Sequence, residues 1–151
     1  MMRKRANLEG FMGEDAAQKA AQYDGKTSEP TLAFIEKALN DTPEPDSILD
    51  LGGGAGHYAQ ALAQRFDCHV KVVDYSADML REGQRRFGDD VRLSWLCEAL
   101  PELSSFPRKA DYPLVISLGV FQFMDGEERV ASLQRCANLT SEFAHCVCVH
   151  P

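Results

Sequence analysis

Apolar residues along this chain switch between helical spacing and short continuous runs, and each switch marks the boundary of an element. Residues 1 to about 12 show no sustained period and read as a mobile arm, followed by a helix-prone segment over residues 14–23. Leu32, Ile35 and Leu39 recur at helical spacing beside Phe34, and Pro30 suits a first helical turn, so a helix is predicted over residues 30–39. The stretch NDTPEPD, residues 40–46, is polar and proline-rich and reads as a loop.

From residue 47 onward, apolar runs and helical stretches alternate. Residues 48–51, 69–73, 91–96, 114–118 and 143–149 read as short buried strands. Between them, residues 55–66 and 76–87 read as helices, the second capped by Ser76, with Asp78 near its positive end and Gly88 available to stop it. Pro101 and Pro107 punctuate a loop, and Asp125 with Glu128 three residues on resembles a capping box for a helix through about Ala137. Strands mostly separated by helices pair in parallel through right-handed crossovers, which predicts an α/β fold with a doubly wound, mostly parallel sheet of about five strands. A length of 151 residues suits one structural domain, with an arm and helices in 1–40 and the α/β unit in 41–151.

The formal charge of −7 leaves no general basic surface for a phosphate backbone, so nucleic acid is not expected as a partner. Arg81, Arg85 and Arg86 read instead as the solvated face of a helix. Five cysteines, at positions 68, 97, 136, 146 and 148, are odd in number and form no CxxC pair. That fits a reducing, cytoplasmic location better than a disulfide scaffold or a zinc ribbon, and Cys146 and Cys148, two apart on a strand, read as buried thiols. No stretch approaches 18 uninterrupted apolar residues and the N-terminus has no apolar signal core, so neither a membrane span nor a leader is expected.

The chemistry concentrates in SILDLGGGAGHYAQALAQRF, residues 47–66. Gly52, Gly53, Gly54 and Gly56 fall where the first strand turns into its helix, the place where doubly wound sheets bind ligands and where bare backbone lets amides come close. The fingerprint GxGxxG fails from Gly52, whose third place is His57, yet its alanine form fits Gly54, Gly56 and Ala59, so the glycines alone leave a nicotinamide or flavin cofactor open. That pattern does not ask for the acid and glycine upstream, which extend the spacing to D-x-G-x-G-x-G from Asp50. Asp74, at the end of the next predicted strand, offers paired acceptors to a vicinal diol.

On Asp50 and these glycines the sequence resembles the class I S-adenosylmethionine-dependent methyltransferases, in the small-molecule type written around LDLGxGxG. VKVVDYSADML, residues 70–80, is similar to the family's second motif; the resemblance implies S-adenosylmethionine as cofactor, Asp74 on its ribose hydroxyls, and Tyr75 and Met79 beside it. CEALPEL, residues 97–103, resembles the segment after the third strand, which implies that Glu98, or Cys97 in an alignment shifted by one, meets the adenine amino group, with Ala99 next to it. PLVISLGVFQFM, residues 113–124, resembles the fourth-strand segment DLVxSxxVLxxL and would put Ser117 and Leu118 at the ligand edge, although Pro113 stands where the family has aspartate and Asp111 is displaced by two. AAQYDG, residues 20–25, resembles a helix AxxYD whose tyrosine closes over the cofactor; Tyr23 holds that place, with packing between helices as the alternative.

The resemblance implies a Rossmann-like sheet of order 3-2-1-4-5 and transfer of a methyl group to a small-molecule acceptor. Such transfer needs alignment more than a base. His57 opens the helix after the glycines and either faces the site or lies on the surface, His69 and His145 fall in strands, and His150 is next to last. Trp95, Phe121 and Phe123 read as core, with an aromatic acceptor pocket as the alternative. No G-x-S-x-G elbow, NPPY or DPPY motif, or Pro-Cys nucleophile is present, which argues against hydrolase and nucleobase chemistry. Family sheets have seven strands and this sequence stops after the fifth, so a non-catalytic S-adenosylmethionine-binding module acting through a partner is the alternative, and a nicotinamide oxidoreductase a third. As an outer strand, FAHCVCV has no Lys, Glu or Pro to blunt its edge, with Phe143, His145, Val147 and Val149 on one face and Ala144, Cys146 and Cys148 on the other. Self-association or a partner is therefore expected through the strand Phe143 to Val149.

Overall fold

The computed structural model describes residues 5–149. A 3-10 helix (Arg5–Phe11) and two α-helices, α1 (Asp15–Ala21) and α2 (Glu29–Ala38), precede β1 (Ser47–Leu51), α3 (His57–Phe66), β2 (His69–Asp74), α4 (Ala77–Phe87), β3 (Leu93–Cys97) and β4 (Tyr112–Leu118). A 3-10 turn (Phe121–Phe123), α5 (Gly126–Leu139) and β5 (Thr140–Val149) complete the order. The five strands form one sheet, β3-β2-β1-β4-β5, and every pairing is parallel, which is the expected doubly wound arrangement.

The two-residue period of the strands sorts their side chains into two cores. Ile48, Val70, Val72, Leu114, Ile116 and Val147 meet Leu32 and Ile35 of α2, Ala59, Leu62 and Ala63 of α3, and Leu80 of α4. Leu49, Leu51, Val73 and Val115 point the other way, onto Leu103, Phe121 and the α5 residues Cys136 and Leu139. One face is thus covered by three helices and the other by one helix and a loop. The strands are continuous apolar runs because both faces are buried.

The helix starts follow from local hydrogen bonding. Ser76 accepts the Met79 amide at 3.1 Å, and Asp125 and Glu128 form the reciprocal capping box at α5. Gly88 ends α4 in a right-handed conformation, donating to the Gln84 carbonyl, rather than as a left-handed cap.

Several boundaries differ from expectation. The segment read as a mobile arm is, from Arg5, a 3-10 helix docked on the α/β unit; residues 1–4 lie outside the described residues. The helix expected from Ala55 begins at His57, because Ala55 and Gly56 belong to the glycine turn. Val91 is 93% exposed and precedes β3, whereas Tyr112 and Pro113 extend β4 forward, with Pro113 at the register shift against β5 where a missing amide is tolerated. β5 starts at Thr140, directly after α5. The burial expected for Phe143, Ala144, Cys146, Cys148 and Val149, and any role of His150, lie outside the described residues.

Gly83 of α4 tests how closely helix and sheet approach. A Cβ there would lie 2.7 Å from the Ala55 carbonyl oxygen and press into the Trp95 ring. Gly83→Ala gains about 1 kcal/mol of helix propensity and loses about 1–3 kcal/mol to overpacking. We expect a net loss, read as a lower urea midpoint with an unchanged slope.

Candidate functional site

At the carboxyl end of β1 the chain makes the glycine turn. The amides of Gly52 and Gly53 both donate to the Val73 carbonyl, at 2.7 and 3.2 Å, which ties the turn to β2. Gly52 has φ +75°, and a Cβ on it would collide with Val120; one on Gly53 would lie 2.6 Å from Asp50 Oδ2. The turn is therefore bare because of what packs beneath it, as well as open to what approaches from above.

Asp74 ends β2 beside this turn and is 7% exposed. Its Oδ2 accepts the Gly54 amide at 2.9 Å and its Oδ1 accepts the Ser76 amide at 2.8 Å. Burial pushes the carboxyl above the usual carboxylate range, and those two amides oppose the shift. Two amides use about half of a carboxylate's four lone-pair positions, so each oxygen keeps acceptor capacity. Asp50 lies beneath, 2% exposed, with Oδ2 unpartnered; burial, and then the charge of Asp74, push it up to about 7.

Above the turn opens a cavity of ≈1250 Å³. That exceeds the roughly 300–1,000 Å³ common for one small ligand, leaving room for a second molecule. The turn, Asp74, Tyr75 and Met79 form its floor; Glu98–Leu103 and Leu118–Val120 form walls; Asp125, Glu127 and Glu128 stand where α5 begins. The N-terminal segment supplies the remaining wall through Leu8, Phe11, Lys19, Tyr23 and Lys26. It is anchored by Tyr75 Oη donating to the Leu8 carbonyl (3.2 Å), by Ser76 Oγ donating to the Phe11 carbonyl, and by the Gly13 amide donating to Asp78 (2.7 Å). Lys19 Nζ lies 5.0 Å from the Phe11 ring centre and 5.9 Å from that of Tyr23.

Of the residues singled out in the sequence, Gly52, Gly53, Gly54, Asp74, Tyr75, Met79, Glu98, Ala99, Leu118 and Tyr23 line this cavity. Three do not. Asp50 sits under the turn, and Gly56 (φ +77°) makes room for the Trp95 ring, 2.7 Å from where a Cβ would be. Ser117, expected at the ligand edge, is fully buried and donates its hydroxyl to the Leu51 carbonyl at 2.9 Å, bracing β4 against β1. Glu98 faces the cavity but is engaged within its own loop: Oε1 accepts the Ser105 amide (2.9 Å) and the Ser104 and Ser105 hydroxyls, while Oε2 is buried without a partner. Cys97 is exposed beside the Tyr75 carbonyl. His57 lines the cavity with Nε2 2.7 Å from Asp24, a carboxylate that Arg86 also holds. Sequence reasoning missed Leu8 and Phe11, whose segment carries no periodic signal, Lys19 and Lys26, whose place over the cavity depends on distant partners, and Gly119, for which a glycine just after the fourth predicted strand was the available clue and whose φ is +72°.

A parallel sheet of this order, with a glycine turn after β1 and an acid ending β2, defines a Rossmann-like architecture. Residues 48–142 match the methyltransferase domain family, and the chain belongs to that family. Solved structures agree on the fold. Haemonchus contortus phosphoethanolamine N-methyltransferase 2, in complex with phosphomonomethylethanolamine and S-adenosylhomocysteine, superposes with a TM-score of 0.72 at 17% identity over 97% of this chain and 35% of that one. Magnesium protoporphyrin IX methyltransferase from Synechocystis, with bound S-adenosylmethionine, gives 0.70 at 18% identity over 92% and 73%. Geranyl diphosphate C-methyltransferase from Streptomyces coelicolor gives 0.62 at 15% over 79% and 42%. The chain thus spans about a third of the length of the nematode enzyme. No curated protein sequence matches the chain.

Asp50 makes the site's electrostatics measurable. A carboxyl raised from 3.8 to about 7 in the folded state favours folding while protonated, and that contribution is lost as pH rises between those values. Asp50→Asn, which does not titrate, should therefore gain on the wild type as pH is raised from about 4 to about 8, by at most about 4 kcal/mol. Urea unfolding of both proteins at the two pH values checks the sign.

Proposed function

We propose that the cavity binds S-adenosylmethionine and that the protein transfers its methyl group to a small-molecule acceptor. The observation that carries this reading is Asp74: a buried carboxylate with unused acceptor capacity beside a side-chain-free turn, which fits the vicinal hydroxyls of a nucleoside ribose. The neighbours that carry S-adenosylmethionine or S-adenosylhomocysteine on the same fold support the choice among nucleotides.

In this reading Gly52, Gly53 and Gly54 let the ligand lie against the backbone, Asp74 orients its sugar, and Tyr75, Met79, Glu98, Ala99 and Leu118 flank it. The N-terminal unit, assigned to 1–40, covers it through Leu8, Phe11, Lys19, Tyr23 and Lys26, while the unit assigned to 41–151 supplies the floor. The cofactor supplies a sulfonium methyl that is already activated for in-line displacement, so the chain's task is to align the acceptor and exclude water. The part of the cavity toward Gln122, Phe123 and Met124 is the space left for that acceptor. No general base is assigned. We place the protein in the cytoplasm, where the free thiols of Cys68, Cys97 and Cys136 persist.

Calorimetric titration with S-adenosylmethionine, S-adenosylhomocysteine and NAD tests the cofactor, and an acceptor screen tests the transfer. Binding of the first two and not of NAD is expected; NAD alone would reverse the reading, and binding with no turnover would leave a cofactor-binding module. Asp74→Ala should weaken S-adenosylhomocysteine binding by about 1–3 kcal/mol. An unchanged affinity in a folded variant removes Asp74 from the site.

We also infer a partner surface at β5, the outer strand, which pairs with β4 on one side and with no strand on the other among the described residues. Light scattering should detect concentration-dependent association. A monomer at high concentration, with fast amide exchange along β5 at every dilution, would dismiss it.

A further inference from the structure

Arg135 does not line the cavity, yet it holds the loop that forms one of its walls. From the C-terminal half of α5, Nη1 donates to the carbonyls of Pro107 (2.7 Å) and Arg108 (2.9 Å), and Nη2 to those of Leu103 (3.1 Å) and Phe106 (3.1 Å). Four carbonyls of one loop thus converge on one guanidinium. Only arginine presents enough donors in a fixed plane for this; a lysine ammonium is a point charge with three.

The loop needs such a hold. Leu103 has φ +41°, a left-handed conformation that is strained for a non-glycine residue. It is nonetheless 1% exposed, packed in the core with Leu49, Leu51, Val115 and Phe121, while lining the cavity. Its amide donates to the Ala99 carbonyl at 3.1 Å, and its carbonyl also accepts the Phe106 amide at 3.0 Å. Glu98, at the loop's start, is fastened to Ser104 and Ser105. The wall from Glu98 to Leu103 is therefore shaped by a strained residue whose carbonyl α5 holds in place.

We propose that Arg135 is a positioning residue for ligand binding: by gathering these four carbonyls it keeps Leu103 left-handed and holds the Glu98–Leu103 wall in its binding form. This rests on the S-adenosylmethionine reading of the cavity. If loss of the clamp lets the competent wall fall to about a tenth of the population, apparent affinity falls about tenfold although no ligand contact is removed.

The test compares the whole chain as wild type, Arg135→Lys and Arg135→Gln, by S-adenosylhomocysteine calorimetry and residue-resolved amide exchange. Arg135→Gln should bind about tenfold more weakly, with faster exchange at Leu103 and Phe106 and unchanged exchange in β1, β2 and β4. Arg135→Lys should fall between. Wild-type affinity in folded Arg135→Gln overturns the proposal. So does weakened affinity accompanied by equally faster exchange throughout the sheet, which would mean a purely structural role. If the wild type binds no S-adenosylhomocysteine, the cofactor reading falls and takes the positioning role with it; the exchange data then decide only whether the clamp orders the loop.

Discussion

Two backbone amides converging on one buried carboxylate hold the site together. The Gly54 amide belongs to the turn leaving β1, and the Ser76 amide to the turn leaving β2; Asp74 accepts both. Neither amide has a partner in a strand ladder at its position, and an unpaired one buried there would be costly. The carboxylate needs them in return, since a buried charge is tolerated only with compensating hydrogen bonds. The shape of the ligand surface thus follows from mutual need between one side chain and two loops.

The same economy explains where the fold tolerates cost. Asp50 is buried with an unpartnered oxygen, Leu103 is left-handed, and Glu98 Oε2 is sealed without a donor. All three border the cavity or lie beneath it; others lie away from it, with Gln60 Oε1, Ser94 Oγ of β3 and Ser132 Oγ of α5 also buried unpartnered and Asp67 left-handed (φ +47°) after α3. Groups of this kind persist only where the surrounding structure over-determines them. The uneven covering of the sheet adds to this: three helices bury one face, while the other depends on α5 and the loop that Arg135 fastens.

The strands and the glycine turn were legible because their causes are local, whereas the sheet order came only through the family resemblance. A continuous apolar run of about five residues, a serine or aspartate at a cap, and glycine where φ must be positive each leave a mark at their own position. Asp74 was legible for the same reason, standing at the end of such a run. What escaped depends on partners distant in sequence. The docking of residues 8–13 uses backbone carbonyls of Leu8 and Phe11 and the amide of Gly13, groups that every sequence has. Ser117 looks like any ligand-edge serine until the Leu51 carbonyl is found beside it, and Glu98 looks free until its loop closes on it.

The anchoring of the N-terminal wall has a temporal side. Its hydrogen bonds join Leu8 to Tyr75, Phe11 to Ser76 and Gly13 to Asp78, across separations of 67, 65 and 65 residues, whereas the glycine turn meets Asp74 across 20. Closing the longer loops costs more chain entropy, and their partners Tyr75, Ser76 and Asp78, at the end of β2 and the start of α4, must already be in place. Residues 8–13 can therefore dock only against an α4 start that is already formed. The N-terminal wall is thus closed against a floor that residues far along the sequence build.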